Sequence, residues 1–307
     1  MTIPFMTILG GLVNILLALI IAPFFEGSVR KITAIVQSRK GPPITQAYLD
    51  IAKLLVKEDI EVGDAPYVQR FAALLSMTSI TAVALFVPLY GVAPLSGTAD
   101  GILIIYLLML AGVSILLAGL AAGSTYSLIG MSREMMSMMT LEPLLAIAVL
   151  DAAYRAGSLR LDAVFGGAVY AGVHGPWSGI ILMGAMLFGL QAFVGRLPFD
   201  ITEAETEIME GPLVEYSGPK LALFKYARMI RLFVYSGLFV ALFVPRVSGI
   251  PGWLSALIFL VEQSVLVILS TVLATTHARY RIDQAIRYYI ALFFAGLAAL
   301  VLSLFGL

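Results

Sequence analysis

Apolar residues run along this chain in eight long blocks separated by shorter polar stretches. A membrane span needs about 20 mostly apolar residues. Blocks at roughly 4–25, 71–94, 102–123, 134–155, 176–195, 232–246, 253–274 and 285–306 qualify. The sixth is short, and the pattern places its start earlier, within "ALFKYARMIRLF". No backbone group can go unsatisfied in lipid, so each block is expected to be a helix. The first runs apolar from Ile3 to Phe25, with no positive residue before it and no clean small-residue cleavage site after it. It is read as a retained helix and not as a signal peptide. The expected fold is an all-α polytopic membrane protein, a single integral membrane domain over 1–307. No internal repeat is evident, nor the paired Gly/Pro-interrupted segments of inverted-repeat transporters.

Charge orients these spans. The longest connections are 26–70 and 196–231. The odd-numbered loops hold 16 of the 19 Lys and Arg residues, and the even-numbered loops hold only Arg155, Arg160 and Arg246. That bias places the odd loops in the cytoplasm and, with an even number of spans, both termini outside.

Composition sharpens the picture by exclusion. Hydrophobic residues make up 60% and charged residues 12%, against about 25% charged in a soluble domain. Net charge is formally zero, so there is no electrostatic case for nucleic acid. The chain has no cysteine. That removes disulfides, a thiol nucleophile and the ligands of an iron–sulfur cluster within this chain. With only two histidines, His174 and His277, a zinc or haem site is not expected, and both are read as incidental loop residues. A redox centre would sit in another subunit. Asn14 is the single asparagine, a slight hint of a hot environment. No phosphate-cradling Gly loop, Walker lysine or serine triad signature occurs.

The first loop reads "QSRKGPPITQAYLDIAKLLVKED". After the basic pair Arg39 and Lys40, Gly41, Pro42 and Pro43 predict a rigid turn. An amphipathic helix comes next, with Ile51, Leu54 and Leu55 on one side and Asp50, Lys53 and Lys57 on another. It is either a surface helix at the lipid headgroups or a platform for a cytoplasmic partner. The fifth loop carries "RLPFDITEAETEIMEGPLVEYSG", with six carboxylates between Asp200 and Glu215. Asp200 followed by Glu203 resembles a capping box. A helix from there puts Glu203, Glu207 and Glu210 on one face, and Gly211-Pro212 ends it. Clustered carboxylates raise one another's pKa, which suits a proton relay, a basic docking partner, or simply an acidic surface. Leu197 and Phe199 are unlike solvated-loop residues.

Glu134, Glu142, Asp151 and Glu262 fall within expected spans. An ionisable group at that depth costs at least about 2.5–3.5 kcal/mol, and its default reading is functional. Glu134 and Glu142 are eight residues apart, about 80° around a helix, and can line one cavity. Pro143 is expected to loosen the fourth span beside Glu142. Asp151 lies about 180° from Glu142 near the outer end and is expected to be exposed at the interface. Glu262 is a relay point or the partner of an arginine. "GLAAG" at Gly119–Gly123 reads as a small-residue helix contact.

These residues also carry a likeness. "R-x-P-F-D … E-x-E … G-x-x-x-E-Y-S-G" resembles the signature loop of the respiratory complex I subunit 1 family. That family includes the membrane anchor subunits of energy-converting, group 4 membrane-bound nickel–iron hydrogenases. "SREMMSMMTLEP" keeps Arg133 nine residues before Glu142, as the family does. The first loop keeps Gly41-Pro42, Asp50, Lys53-Leu54-Leu55 and Lys57-Glu58. "EGPLVEYSG", the "SRE…EP" of the fourth span and "GPPITQAYLD" in place of a "GP…GLLQP" run resemble the hydrogenase branch and weigh against quinone binding.

The resemblance implies a coupling and anchor subunit. Its partners would be a cytoplasmic iron–sulfur small subunit, a hydrogenase-like large subunit carrying the nickel–iron centre, and antiporter-like, ion-translocating membrane subunits, all within lipid. Reduced ferredoxin would supply electrons for H2 evolution or sulfur reduction. The ion-path candidates are Glu134, Glu142, Glu262, Asp200, Glu203, Glu205, Glu207, Glu210 and Glu215, with Arg133 supporting them. The docking candidates are Arg39, Lys40, Gly41, Pro42, Asp50, Lys53, Arg196, Pro198, Phe199 and Tyr216. The expected setting is the plasma membrane of an archaeon or bacterium. The rival readings are a quinone-reducing or sulfur-reducing relative, an independent secondary transporter, and a passive scaffold.

Overall fold

The structure is a computed structural model, and it describes residues 5–61, 65–88, 95–170, 177–246, 249 and 251–306. Eight helices are long and apolar enough to cross a membrane: α1 (Phe5–Val36), α3 (Pro66–Phe86), α4 (Gly101–Ala122), α5 (Thr125–Ala156), α7 (Trp177–Val194), α9 (Gly218–Phe243), α10 (Gly252–Thr276) and α11 (Ile282–Leu304). Three short ones join them: α2 (Gln46–Val56), α6 (Leu161–Val164) and α8 (Glu205–Ile208). No strand forms among the described residues; the one extended pairing is a bridge between Asp100 and Arg160. The all-α polytopic expectation holds. The sixth span starts even earlier than the stretch that its pattern suggested, at Gly218, four residues before Ala222. The expected tips 89–94 of the second span and His174 lie outside the described residues.

Helix α9 is the axis. Its sequence is apolar all round from Leu232 to Phe243, the pattern of a helix buried on every side, and 83% of its most apolar window is buried. Helices α1, α3, α7 and α10 pack around it, with α2 across its start. A second layer of α4, α5 and α11 leans on α3 and α7. Helices α4 and α5 form a tight pair. Gly123 ends α4 at φ +69°, and Ser124 caps α5 by accepting from the Ser127 amide at 3.3 Å. Gly119 is the close contact of the "GLAAG" stretch: an added Cβ there would stand 2.9 Å from Met131 Cβ. Gly123, with nothing within 4 Å, serves the turn and not the packing. Helix α5 runs unbroken through Pro143, so the expected loosening there leaves its continuity intact.

At 32 residues, α1 is about 48 Å long, well over the ~30 Å hydrocarbon thickness. Its last turns therefore project from the bundle at the end that carries the acidic loop. Helix α2 lies across that end, seated by Ala47, Ile51 and Leu54. Leu49, Leu55 and Val56 stay exposed. Leu54 points inward and Leu55 outward, so the two do not share the face that their spacing suggested.

Candidate functional site

Two neighbouring hollows lie under the acidic loop. The outer one, about 390 Å³, is lined by Glu26, Arg30, Arg196, Asp200, Lys225 and other residues of α1, α9, α10 and the loop. The inner one, about 70 Å³, reaches Glu134 and Glu142 on α5, Arg231 and Tyr235 on α9, and Tyr289 on α11. Four residues border both: Glu203, Leu213, Phe224 and Arg228. The wall between the hollows is thus the Glu203–Arg228 ion pair with two apolar side chains beside it.

Glu134 and Glu142 do line one cavity, as their spacing predicted. Glu134 is buried and faces the Arg231 guanidinium at 3.9 Å, which also lies over the Tyr235 ring, 5.7 Å from its centre. Glu262 is not brought to this chamber. It sits half-buried in α10, and its charge faces Arg246.

The acidic loop departs from its expected form. Only the single turn Glu205–Ile208 is α-helical, with a 3-10 turn at Gly211–Leu213, and no side chain caps either. Met209 and Glu210 are left-handed, with φ of 56° and 64°, which few L residues tolerate. Glu203 precedes this single turn and Glu210 comes after it, so Glu203, Glu207 and Glu210 do not share a face. The reason is tertiary: each carboxylate turns to its own cation. Glu207 takes Arg133 at 2.6 Å, Glu203 takes Arg228, and Glu210 lies 3.8 Å from Lys225. Asp200, expected as a helix cap, instead meets Arg279 at 3.2 Å and Arg228 at 3.7 Å. Burial, against the pull of Arg228, raises the pKa of the Glu203 carboxyl above its ordinary value. Glu215 is partly exposed where the loop enters α9, and the side chain of Glu205 lies outside the described residues.

Phe199 and Tyr216 turn inward and clamp the loop's two ends. Phe199 sits among Tyr280, Tyr288 and Tyr289, with ring centres 4.9–5.4 Å away. The Pro198 carbonyl beside it accepts the Tyr280 amide at 2.9 Å. Tyr216 donates to the Ala118 carbonyl of α4 at 2.9 Å, and burial pushes its phenol well up. Arg196 pairs with Glu26 across the outer hollow. In the first loop, Asp50 holds Arg30 at 2.7 Å and Gln46 at 3.0 Å. Arg39, Lys40, Pro42 and Lys53 are exposed. Gly41 is a close approach, since an added Cβ would come within 2.5 Å of Ala34 Cβ.

Three features escaped the sequence reading. Glu26 lines the outer hollow; its spacing of four from Arg30 was the available signal. Lys220 is buried, 3.1 Å from Asp59 and 3.4 Å from Gln69, and it ties the start of α9 to the end of the first loop. Asp151, expected at the surface, is fully buried and faces Arg155 one turn on, at 3.7 Å. Arg155 reaches on to Ser303 of α11 at 3.0 Å and to Ser178 of α7. His277 is exposed. Among the described residues no group of three or more His, Asp or Glu could hold a metal ion.

An all-α bundle with eight membrane-crossing helices, carrying a charged, two-chambered recess at one end, defines a multi-pass subunit of the cell membrane. The chain belongs to the NADH dehydrogenase family, whose profile it matches over residues 10–304. It is 35% identical to hydrogenase-4 component C of Escherichia coli over 78% of this chain and 76% of that one. It is 32% identical to formate hydrogenlyase subunit 4 of the same organism over 91% and 92%. It is 35% identical to NADH-quinone oxidoreductase subunit 8 of Rhodothermus marinus over 70% and 66%. A chain in the structure of an archaeal membrane-bound sulfane sulfur reductase, a respiratory membrane complex, superposes with a TM-score of 0.86. That match has 25% identity and covers 97% of this chain and 99% of that one. Its relatives are therefore subunits of respiratory and hydrogenase complexes.

Proposed function

We propose that this chain is the membrane anchor and coupling subunit of a ferredoxin-dependent energy-converting hydrogenase complex. It links electron transfer and H2 evolution in a cytoplasmic arm to H+ or Na+ translocation in the membrane. The observation that carries the reading is the chain of charge from the acidic loop inward: Glu26 and Arg196, then Glu203 and Arg228, then Glu134, Arg231 and Glu142, with two hollows between them. The inner hollow, at about 70 Å³, suits a few waters, whereas ligand pockets run to about 300–1,000 Å³ and are mostly apolar. The outer hollow is large enough for a ligand, but Glu26, Arg30, Arg196, Asp200, Glu203, Glu210, Lys225 and Arg228 make eight of its 18 lining residues charged. Both points favour an ion path over a seat for a quinone ring.

The iron–sulfur small subunit and the hydrogenase-like large subunit dock on the face formed by α2, Arg39, Lys40 and the acidic loop. Antiporter-like subunits continue the ion path in the membrane. The likeness to the sulfane sulfur reductase chain supports a second reading, in which the arm reduces sulfur compounds and this subunit serves the same coupling role. Glu142→Gln in the intact complex separates coupling from scaffolding. Ion transport is expected to fall to background while electron transfer in the arm persists; full transport in the variant refutes the relay. Nickel in the co-purified complex distinguishes the hydrogenase reading from the sulfur-reducing one.

A further inference from the structure

Pro23 sits inside α1. Proline has no amide hydrogen, so the Leu19 carbonyl one turn back loses its helical partner, and the ring crowds that carbonyl. A carbonyl within a membrane span needs a donor from elsewhere. Here two tyrosines from other elements meet that turn. Tyr226 of α9 donates to the Leu19 carbonyl at 2.6 Å. Tyr48 of α2 donates to the adjacent Ile20 carbonyl.

Beyond Pro23, the end of α1 is fastened to the first loop. An added Cβ on Gly27 would stand 1.9 Å from the Ile44 carbonyl oxygen, so the two backbones touch. Lys31 reaches the Gly41 carbonyl at 3.4 Å, and Arg30 holds Asp50 at 2.7 Å. The end of α1, residues 37–45 and α2 are thus tied together. The end of α1 carries Glu26, which pairs with Arg30 on its own helix and with Arg196 across the outer hollow.

We propose that Tyr48 and Tyr226 are positioning residues that pin the turn of α1 weakened by Pro23 and so fix Glu26 against Arg196 in the lining of the outer hollow. A load on α2 reaches Glu26 through this pinned joint. The effect on ion transport rests on the coupling reading above, whereas the pin itself does not.

The test uses the intact complex with Tyr226→Phe, Tyr48→Phe, Pro23→Ala and Glu26→Gln, alone and combined. Two quantities are measured: hydrogen exchange of the segment 19–24, and ions moved per electron pair. Either tyrosine variant is expected to raise exchange about fivefold to tenfold, the scale of one lost hydrogen bond. Pro23→Ala, which returns an amide to Leu19, is expected to make Tyr226→Phe silent in exchange. Tyr226→Phe is expected to lower the ion ratio, with no further loss when Glu26→Gln is already present. Unchanged exchange in Tyr226→Phe overturns the pin. A changed exchange with an unchanged ion ratio, or losses that add to those of Glu26→Gln, overturns the positioning role. If neither Glu142→Gln nor Glu26→Gln alters the ion ratio, the coupling reading fails, and the exchange results still decide the pin.

Discussion

Gly130 of α5 is where the acidic loop seats on the bundle. A Cβ placed there would stand 2.5 Å from Pro212 Cδ and 2.8 Å from both Pro212 N and Gly211 Cα. Carbon atoms rest at about 3.5–4.0 Å, so Gly130→Ala forces an overlap of about 1 Å. The atoms it meets belong to a ring and to backbone, neither of which can swing aside. The cost therefore falls at the upper end of overpacking, about 3 kcal/mol. Ala regains about 1 kcal/mol of helix propensity over Gly. The net of about 2 kcal/mol is roughly a 30-fold shift in the ratio of seated to unseated loop. The Ser127 hydroxyl, 3.2 Å from the Pro212 carbonyl, would lose that contact as the loop lifts. Hydrogen exchange across residues 203–213 reads the seat directly, and Gly184→Ala is the control, since nothing lies within 4 Å of a Cβ there. Equal exchange in wild type and Gly130→Ala, or the same change in both variants, refutes this account of the loop's seat.

Other contacts give further expected outcomes. Phe199→Ala empties the cage of Tyr280, Tyr288 and Tyr289 and is expected to cost about 3–5 kcal/mol, seen as a lower thermal midpoint in detergent; a midpoint within error of wild type contradicts it. The Gln46 amide, and then the Arg30 guanidinium, hold the Asp50 carboxyl below its ordinary value of 3.8. A depressed acid contributes stability above its unfolded value and loses it as pH falls through the folded one. Asp50→Asn should therefore flatten the wild-type loss of stability below about pH 3.8, as read by acid titration of the melting curve. Asp151→Asn leaves Arg155 buried without its anion and is expected to cost about 3–5 kcal/mol, as for other broken buried pairs; an unchanged melting point argues against that burial.

The eight spans were legible because hydropathy alone fixes a helix in lipid, and Glu134 with Glu142 was legible because helical geometry fixes their angle. The acidic loop was not. Its local pattern favoured a helix, but Arg133, Lys225, Arg228 and Arg279 each draw a different carboxylate, and they come from other parts of the chain. Period and capping cannot express that competition. Asp151 was misplaced for a simpler reason: its position near a helix end suggested exposure, although Arg155 one turn on already offered it a buried partner. Glu26 fell at the edge of the first apolar block and was passed over for that reason alone.

The central position of α9 also bears on how the chain is made. Helices enter the membrane in order, and α9 comes only after five other spans. Until it arrives, α1, α3 and α7 lack the element that they share, and Glu134 lacks the arginine it faces. The early spans must therefore wait as a loose group, with the Glu134 carboxyl still unpaired. Closure of the bundle and the meeting of Glu134 with Arg231 become a single late event in biogenesis, triggered by one helix.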